Sequence, residues 1–160
     1  MKTTTLLLAC LLAFTLTAAE PSKPAAFEVR LVLDSASPDS DQLTCIQQRS
    51  DGGKAVEERL HVQKKPLLDR SALQSAAVQK NPVSGASEIQ VTFTERGGKR
   101  FAEVTRDHVG QRLAIVIDGK VYSAPKVMME IPGGKAVISG SFSDQEATQL
   151  AARLSERATK

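Results

Sequence analysis

Apolar and polar residues alternate along residues 89–93 and, at first, along residues 27–33. Alternation at this period is typical of strands, in which successive side chains point to opposite faces. Residues 113–117 are instead apolar at every position, which indicates a central strand covered on both faces. Asp118 and Gly119 follow directly and predict a tight hairpin turn. The pattern therefore predicts a sheet whose central strand ends in a hairpin.

A helix is predicted between Asp69 and the pair Asn81-Pro82. The carboxylate of Asp69 can accept hydrogen bonds from the amides of a first helical turn, and proline cannot continue a helix. Small and apolar residues fall on one face at helical spacing, namely Ala72, Leu73, Ala76 and Ala77. This is the first of about three helices that the sequence predicts.

Two further helices have clearer beginnings. Thr94 can cap one of them, although Gly97 and Gly98 weaken its first turn. Ser143 and Glu146 form the capping box of the other. The apolar stripes are Phe101, Val104 and Thr105 in the first, and Ala147, Leu150, Ala151 and Leu154 in the second. Such stripes must pack on the sheet. The predicted fold class is α+β, a mostly antiparallel sheet with about three helices packed on one face.

The segment Gly133-Gly134-Lys135 looks at first like a loop that holds a phosphate group. Such a loop needs a hydroxyl residue after the lysine and must open into a helix. Here Ala136 follows the lysine and begins a strand-like run, so the sequence predicts a turn and no nucleotide cofactor. The residues predicted to form turns are Asp118, Gly119, Pro132, Gly133, Gly134 and Gly140.

Residues 1–19 have the layout of a cleavable export signal, with Lys2 before an apolar run and small residues before the cleavage point. The apolar run, residues 6–16, is shorter than the roughly 20 residues that a membrane-spanning helix needs. Cys10 offers the alternative of a lipid-anchored structural envelope protein. We expect an extracytoplasmic, periplasmic protein with residues 20–26 as a linker and no membrane span.

The charged and chemically reactive residues point to neither nucleic acid nor catalysis. Loss of Lys2 with the signal would leave 20 of the 21 Lys and Arg residues against 18 Asp and Glu residues, a balance without a basic patch for nucleic acid. His61 and His108 have no metal ligands at a suitable spacing. Cys45 is expected to be a small buried residue, and the alternative is a small envelope hydrolase that uses it as a nucleophile.

A possible contact surface lies shortly before the double-glycine turn. Its residues are Val127, Met128, Met129 and Ile131. Methionine side chains are flexible and polarizable, so they suit surfaces that accept varied apolar partners. The alternative interpretation places one or both methionines in the core. We predict a partner-binding surface here, and no catalytic or metal site.

Several short motifs occur in a fixed order in the second half of the chain. They are FAEVT at residues 101–105, VGQRLAIVIDGKV at 109–121, SAP at 123–125, IPGG at 131–134 and ISGSF at 138–142. Together they resemble the SecD family, and more narrowly the head subdomain of its first periplasmic domain. The resemblance is dense over residues 89–154 and extends more faintly back to residue 60.

The resemblance implies a non-enzymatic protein-binding module of the SecD-head fold over residues 60–156. Its expected partner is an unfolded exported chain or a component of the export machinery. Residues 27–59 are predicted to be strand-rich, have no identified counterpart in the family and have no assigned role. The family implies no catalytic residues, which agrees with the residues themselves.

Overall fold

The computed structural model describes residues 24–47, 56–140 and 142–156. The expected export signal, the cysteine considered for lipid attachment and the first part of the linker lie outside these residues. Among the described residues there are nine strands and two α-helices. They are β1 (Phe27–Leu33), β2 (Ser40–Gln47), β3 (Val56–Gln63), β4 (Leu68–Asp69), β5 (Leu73–Lys80), β6 (Ser87–Phe93), α1 (Glu95–Asp107), β7 (Leu113–Ile117), β8 (Lys120–Ser123), β9 (Lys135–Ser139) and α2 (Asp144–Ser155).

Six strands form one sheet in the order β3-β2-β8-β7-β1-β4, and a further pairing between β1 and β3 closes five of them into a small barrel. All pairings are antiparallel except the short contact of β2 with β8, where Cys45 lies beside Val121. The interior of this barrel is an apolar cluster of Cys45, Leu60, Val62, Ala114, Val116, Val121 and Ala124.

The other three strands form a second antiparallel sheet in the order β5-β6-β9. The main core lies between this sheet, the outer wall of the barrel and the two helices. Leu113, Ile115 and Ile117 of β7 face this core, whereas Ala114 and Val116 face the barrel interior. The expectation that β7 is covered on both faces is therefore confirmed.

The prediction of a helix after Asp69 is wrong. Asp69 does cap a helical turn, and its carboxylate accepts a hydrogen bond from the Ser71 amide at 2.8 Å. That turn is a 3-10 helix of three residues, Arg70–Ala72, and the chain then continues as β5, which pairs with β6. Alanines at this spacing fit a helix or a strand, and pairing with a neighbouring strand decides the outcome. The domain is α+β with two α-helices among its described residues.

Both remaining helices begin where the sequence predicts. The Thr94 hydroxyl accepts a hydrogen bond from the Gly97 amide at 3.0 Å. In α2, the Ser143 hydroxyl accepts from the Glu146 amide, and the Glu146 carboxylate accepts from the Ser143 amide. The apolar stripe of each helix is buried. The sequence-based capping assignments are confirmed.

The described strands within residues 27–59, which are β1, β2 and the start of β3, belong to the same sheet as β7 and β8. β1 pairs with β7 over five residues, and β2 pairs with β3 over eight. The division expected at residues 59 and 60 falls inside β3. Since β1 supplies Phe27 and Val29 to the main core, this segment helps to shape the cavity described next.

Candidate binding site

An apolar cavity of about 230 Å³ lies between the outer wall of the barrel and the second sheet. It is lined from β1, β6, α1, β7 and β9, and it is covered by the segment of residues 125–131 that leads from β8 towards β9. We call this segment the connector. The lining residues are Phe27, Val29, Val91, Phe93, Phe101, Thr105, Leu113, Ile115, Pro125, Lys126, Val127, Met128, Met129, Ile131 and Ala136.

The first half of the connector is fixed to the chain that precedes β7. The Val127 amide donates to the Gln111 carbonyl at 2.8 Å, and the Gly110 amide donates to the Val127 carbonyl at 2.8 Å. Gly110 adopts a left-handed φ of 86°, which lets its amide face the connector after α1 has ended. Val127 is 6% exposed and belongs to the main core.

The far end of the connector is held by α1. The Ile131 amide donates to the Thr105 hydroxyl at 2.9 Å. Thr105 is buried, and its hydroxyl can donate in turn to the Phe101 carbonyl at 2.9 Å. The buried hydroxyl of Thr105 therefore anchors the connector over the cavity.

Between these two anchors lie Met128, Met129 and Glu130. Within the part of the chain that the structure describes, these three residues make no hydrogen bond. Met128 is 75% exposed and Met129 is 70% exposed, although both also line the cavity. Because both side chains are mostly exposed, neither methionine lies in the core, in contrast to the alternative interpretation. They form a flexible apolar cover that solvent reaches from outside.

All four residues singled out as a contact surface line the same cavity, but they differ in exposure. Ile131 is 39% exposed and Val127 is buried. Sequence reasoning did not find the aromatic floor of the cavity. Phe93 stacks on Phe101 with 4.7 Å between ring centroids, and Phe27 lies 6.5 Å from Phe93. In the sequence these rings look like any other core residues, so no signal separates them from the rest.

The residues expected to form turns lie at or near the ends of strands. Asp118 and Gly119, between β7 and β8, have φ values of 50° and 79°. Gly133 and Gly134 have φ values of 104° and 66°, and they lead from Pro132 directly into β9. Gly140 does not have a left-handed φ, but a side chain there would meet the Phe142 ring at 2.9 Å.

None of the residues considered for chemistry (Cys45, His61 and His108) lines the cavity. Cys45 is completely buried inside the barrel, which does not suit a nucleophile that must reach a substrate. His108 lies at the end of α1 with its Nδ1 2.8 Å from the Val104 carbonyl oxygen. No three His, Cys, Asp or Glu side chains of the described residues are close enough together to hold a metal ion.

An ion pair fixes the base of the connector to the barrel. The Arg112 guanidinium donates two hydrogen bonds to the Glu58 carboxylate at 2.7 and 2.9 Å. Its Nε also donates to the Ala124 carbonyl at 3.0 Å, just before the connector begins. The hydrogen bond with Arg112 lowers the pKa of Glu58 from its usual value. The pair therefore joins β3, the start of β7 and the end of β8.

Substituting Glu58 with glutamine is expected to destabilise the domain at neutral pH and to matter less in acid. A lowered pKa in the folded state contributes stability that is present above the pKa of the unfolded chain and is lost as pH falls through the folded value. Melting temperatures of wild type and Glu58→Gln should be measured from neutral pH down to pH values below the lowered pKa of Glu58. The two melting temperatures should converge as pH falls. A constant difference at all pH values would contradict the ionic contribution.

The described residues contain no helix with the length and apolar character needed to cross a bilayer. The fold is a small two-sheet α+β domain with an apolar cavity between its layers. The family model of the SecDF P1 head subdomain matches residues 44–158. The chain therefore belongs to the SecDF P1 head family, as its sequence motifs indicate.

Relatives and solved structures agree with this assignment. The chain is 39% identical to the protein translocase subunit SecD of Magnetococcus marinus over 113 residues, which cover 71% of this chain and 21% of that protein. It is 51% identical to the protein translocase subunit SecDF of Thermus thermophilus over 67 residues, 42% of this chain and 9% of that protein. The matches thus span only about a tenth to a fifth of these relatives.

Two solved structures share the fold. One is a structure of a membrane component SecDF that enhances protein export, with a TM-score of 0.63, 30% identity and coverage of 83% of this chain and 63% of that one. The other is SecDF in a super-membrane-facing form, with a TM-score of 0.65, 32% identity and coverage of 83% and 19%. Because each structural match covers 83% of this chain, each also includes residues that precede the motif-rich part of the sequence, residues 89–154.

Proposed function

We propose that this chain is a non-enzymatic polypeptide-binding module that acts on the periplasmic side of protein export. The cavity under the connector would hold apolar side chains of an exported chain that has not yet folded. The observation that carries the proposal is that two exposed methionines cover an apolar cavity with an aromatic floor. Preformed apolar cavities with a few polar groups are the usual form of ligand sites.

The chemistry of the cavity suits a ligand without a fixed sequence. Aromatic and aliphatic walls attract apolar groups without directional bonds, and methionine adapts its shape to the group that it covers. The similar protein translocase subunits act in protein transport, which supports an exported polypeptide as the ligand. A component of the export machinery is the second candidate, because the exposed methionines could equally contact a folded partner.

The test is the affinity for a fluorescent peptide that carries apolar residues, measured by anisotropy with the chain lacking residues 1–19. Replacing Met128 and Met129 together with serine is expected to weaken binding about tenfold, because the bound peptide loses apolar cover. The melting temperature should change little, since both side chains are exposed. Val83→Ser is the matched control, because Val83 is 95% exposed and lies far along the chain from the connector.

Two results would count against the proposal. One is an unchanged affinity in the double variant with a folded protein. The other is equal weakening by Val83→Ser, which would indicate binding to any exposed apolar residue. If the peptide does not bind while a purified export-channel component does, the second candidate partner replaces the first.

A further inference from the structure

Strand β9 has one paired edge and one open edge. Within the described residues it pairs with β6 and with no other strand. The Phe93 amide donates to the Gly134 carbonyl at 2.8 Å, just before β9 begins, and this fixes which residues bond to β6. Since bonded and non-bonded pairs alternate in an antiparallel ladder, the main-chain groups of Ala136 and Ile138 face β6. Those of Lys135, Val137 and Ser139 point away from it.

The opposite edge of the same sheet is interrupted and partly covered, whereas among the described residues the outer edge of β9 is not. On β5 the Ser155 hydroxyl accepts from the Ala76 amide at 2.9 Å and donates to the Ala76 carbonyl at 2.8 Å. The register of β5 is also interrupted between Leu73 and Ser75. Bulges and covering elements are the means by which proteins prevent strand addition. In the described residues β9 has neither an interrupted register nor a hydrogen bond on its outer edge.

The open edge borders the cavity. Ala136 of β9 lines the cavity, and the connector that covers it runs through the glycine turn into β9. At its carboxyl end β9 approaches β8, because a side chain at Gly140 would lie 3.4 Å from the Tyr122 carbonyl oxygen. The accessible part of the edge is therefore the part beside Lys135 to Val137, next to the mouth of the cavity.

We propose that the polypeptide ligand binds as an additional β-strand on the outer edge of β9. Its main chain would bond to the outward groups of Lys135 and Val137, and every second side chain would enter the cavity below the methionines. The proposal rests on the proposed function, and it specifies the ligand as an extended segment with apolar residues at alternate positions. Main-chain bonding also explains how one site could accept many sequences.

The charge on the edge specifies the ligand further. Lys135 of β9 is exposed and forms no ion pair with another described residue. A cation on the outward face of an edge strand favours a carboxylate beside it in the added strand. The ligand is therefore an extended segment in which apolar residues alternate with polar ones that include Asp or Glu.

The test uses one alternating peptide and two N-methylated forms of it, with wild-type protein. Methylation at even positions removes one row of amide donors, and methylation at odd positions removes the other. Strand addition predicts that one form binds about tenfold or more weakly, because it loses its bonds to β9 and its methyl groups clash, while the other binds like the parent. If both bind like the parent, the edge is not used and the cavity alone binds. If the parent itself does not bind, the proposed function fails instead.

A protein variant tests the same edge from the other side. Proline at residue 137 removes an amide that points away from β6, so the sheet keeps its ladder bonds. We expect Val137→Pro to bind the parent peptide about tenfold more weakly than Val137→Thr, which keeps the amide and the β-branched shape of the side chain. If Val137→Pro does not fold, the comparison of the two N-methylated peptides with wild-type protein decides the test alone. A different result would overturn the proposal in favour of a second copy of the chain as the occupant of the edge. The wild-type protein would self-associate, Val137→Pro would abolish this self-association, and the peptide would not compete with it.

Discussion

Replacing Gly97 with alanine is expected to destabilise the domain by about 3 kcal/mol or more. Gly97 lies in the first turn of α1, where alanine would ordinarily be favoured by about 1 kcal/mol over glycine. A Cβ atom at this position would lie 2.2 Å from the carbonyl oxygen of Ala72. Neither the helix nor the 3-10 turn can move away cheaply, because the Thr94 amide donates to the same carbonyl at 2.8 Å. The steric effect should therefore outweigh the helix propensity.

Urea unfolding of Gly97→Ala measures this effect, and Gly85→Ala is the matched control. Gly85 also has a conformation that alanine dislikes, with φ of 69°, but nothing lies within 4 Å of a Cβ atom there. The control should lose only about 1 kcal/mol from backbone strain. If Gly97→Ala proved as stable as wild type, the close packing of α1 against Ala72 would not hold in solution.

Replacing Ala136 with phenylalanine is expected to abolish most peptide binding, with a loss of more than about tenfold in affinity. The side chain of Ala136 lines the cavity, so an aromatic ring there occupies the space that the ligand would fill. Because the ring buries apolar area in an existing void and suits a strand, the melting temperature should stay the same or rise. Loss of binding without loss of stability would separate a ligand site from a packing defect.

An alanine on the far strand of the same sheet provides the control for this variant. Ala77 of β5 pairs with Gln90 on the opposite face of the sheet and is exposed, so Ala77→Phe adds the same ring outside the cavity and away from β9. Peptide affinity should change little in this control. Equal affinity of Ala136→Phe and wild type would show that the ligand does not enter the cavity, and the proposed function would need another surface.

Patterns that depend on neighbouring residues could be predicted from the sequence, whereas features that arise from tertiary packing could not. The apolar run of β7 and the capping box of α2 lie within a few residues, and both occur as predicted. β5 was predicted as a helix because its alanines fit either structure, and its pairing with β6 joins residues that are between 7 (Lys80 and Ser87) and 20 (Leu73 and Phe93) positions apart. The glycine pair at the start of α1 looked like a weakness and instead permits contact with Ala72.

The candidate site divides in the same way. The methionine pair has a chemical character that can be read directly, and its exposure agrees with a contact surface. The cavity below it is a space left between two sheets, and no residue type marks such a space. Phe27, Phe93 and Phe101 come from distant parts of the chain and meet only in the folded domain. The anchoring of the connector by Thr105 is likewise visible only when α1 and the connector are adjacent.

Strand β7 belongs to two apolar clusters at once, since its alternate residues fill the barrel and the main core. Opening either cluster would expose one face of this strand to water and remove the packing on that face. The barrel and the helical layer should therefore unfold as one cooperative unit, and amide hydrogens of β7 should exchange only through global unfolding. Amide hydrogens of Met128, Met129 and Glu130 should instead exchange fast, because these residues make no hydrogen bond within the described part of the chain. A ligand that displaced the two methionines would therefore leave the rest of the fold in place.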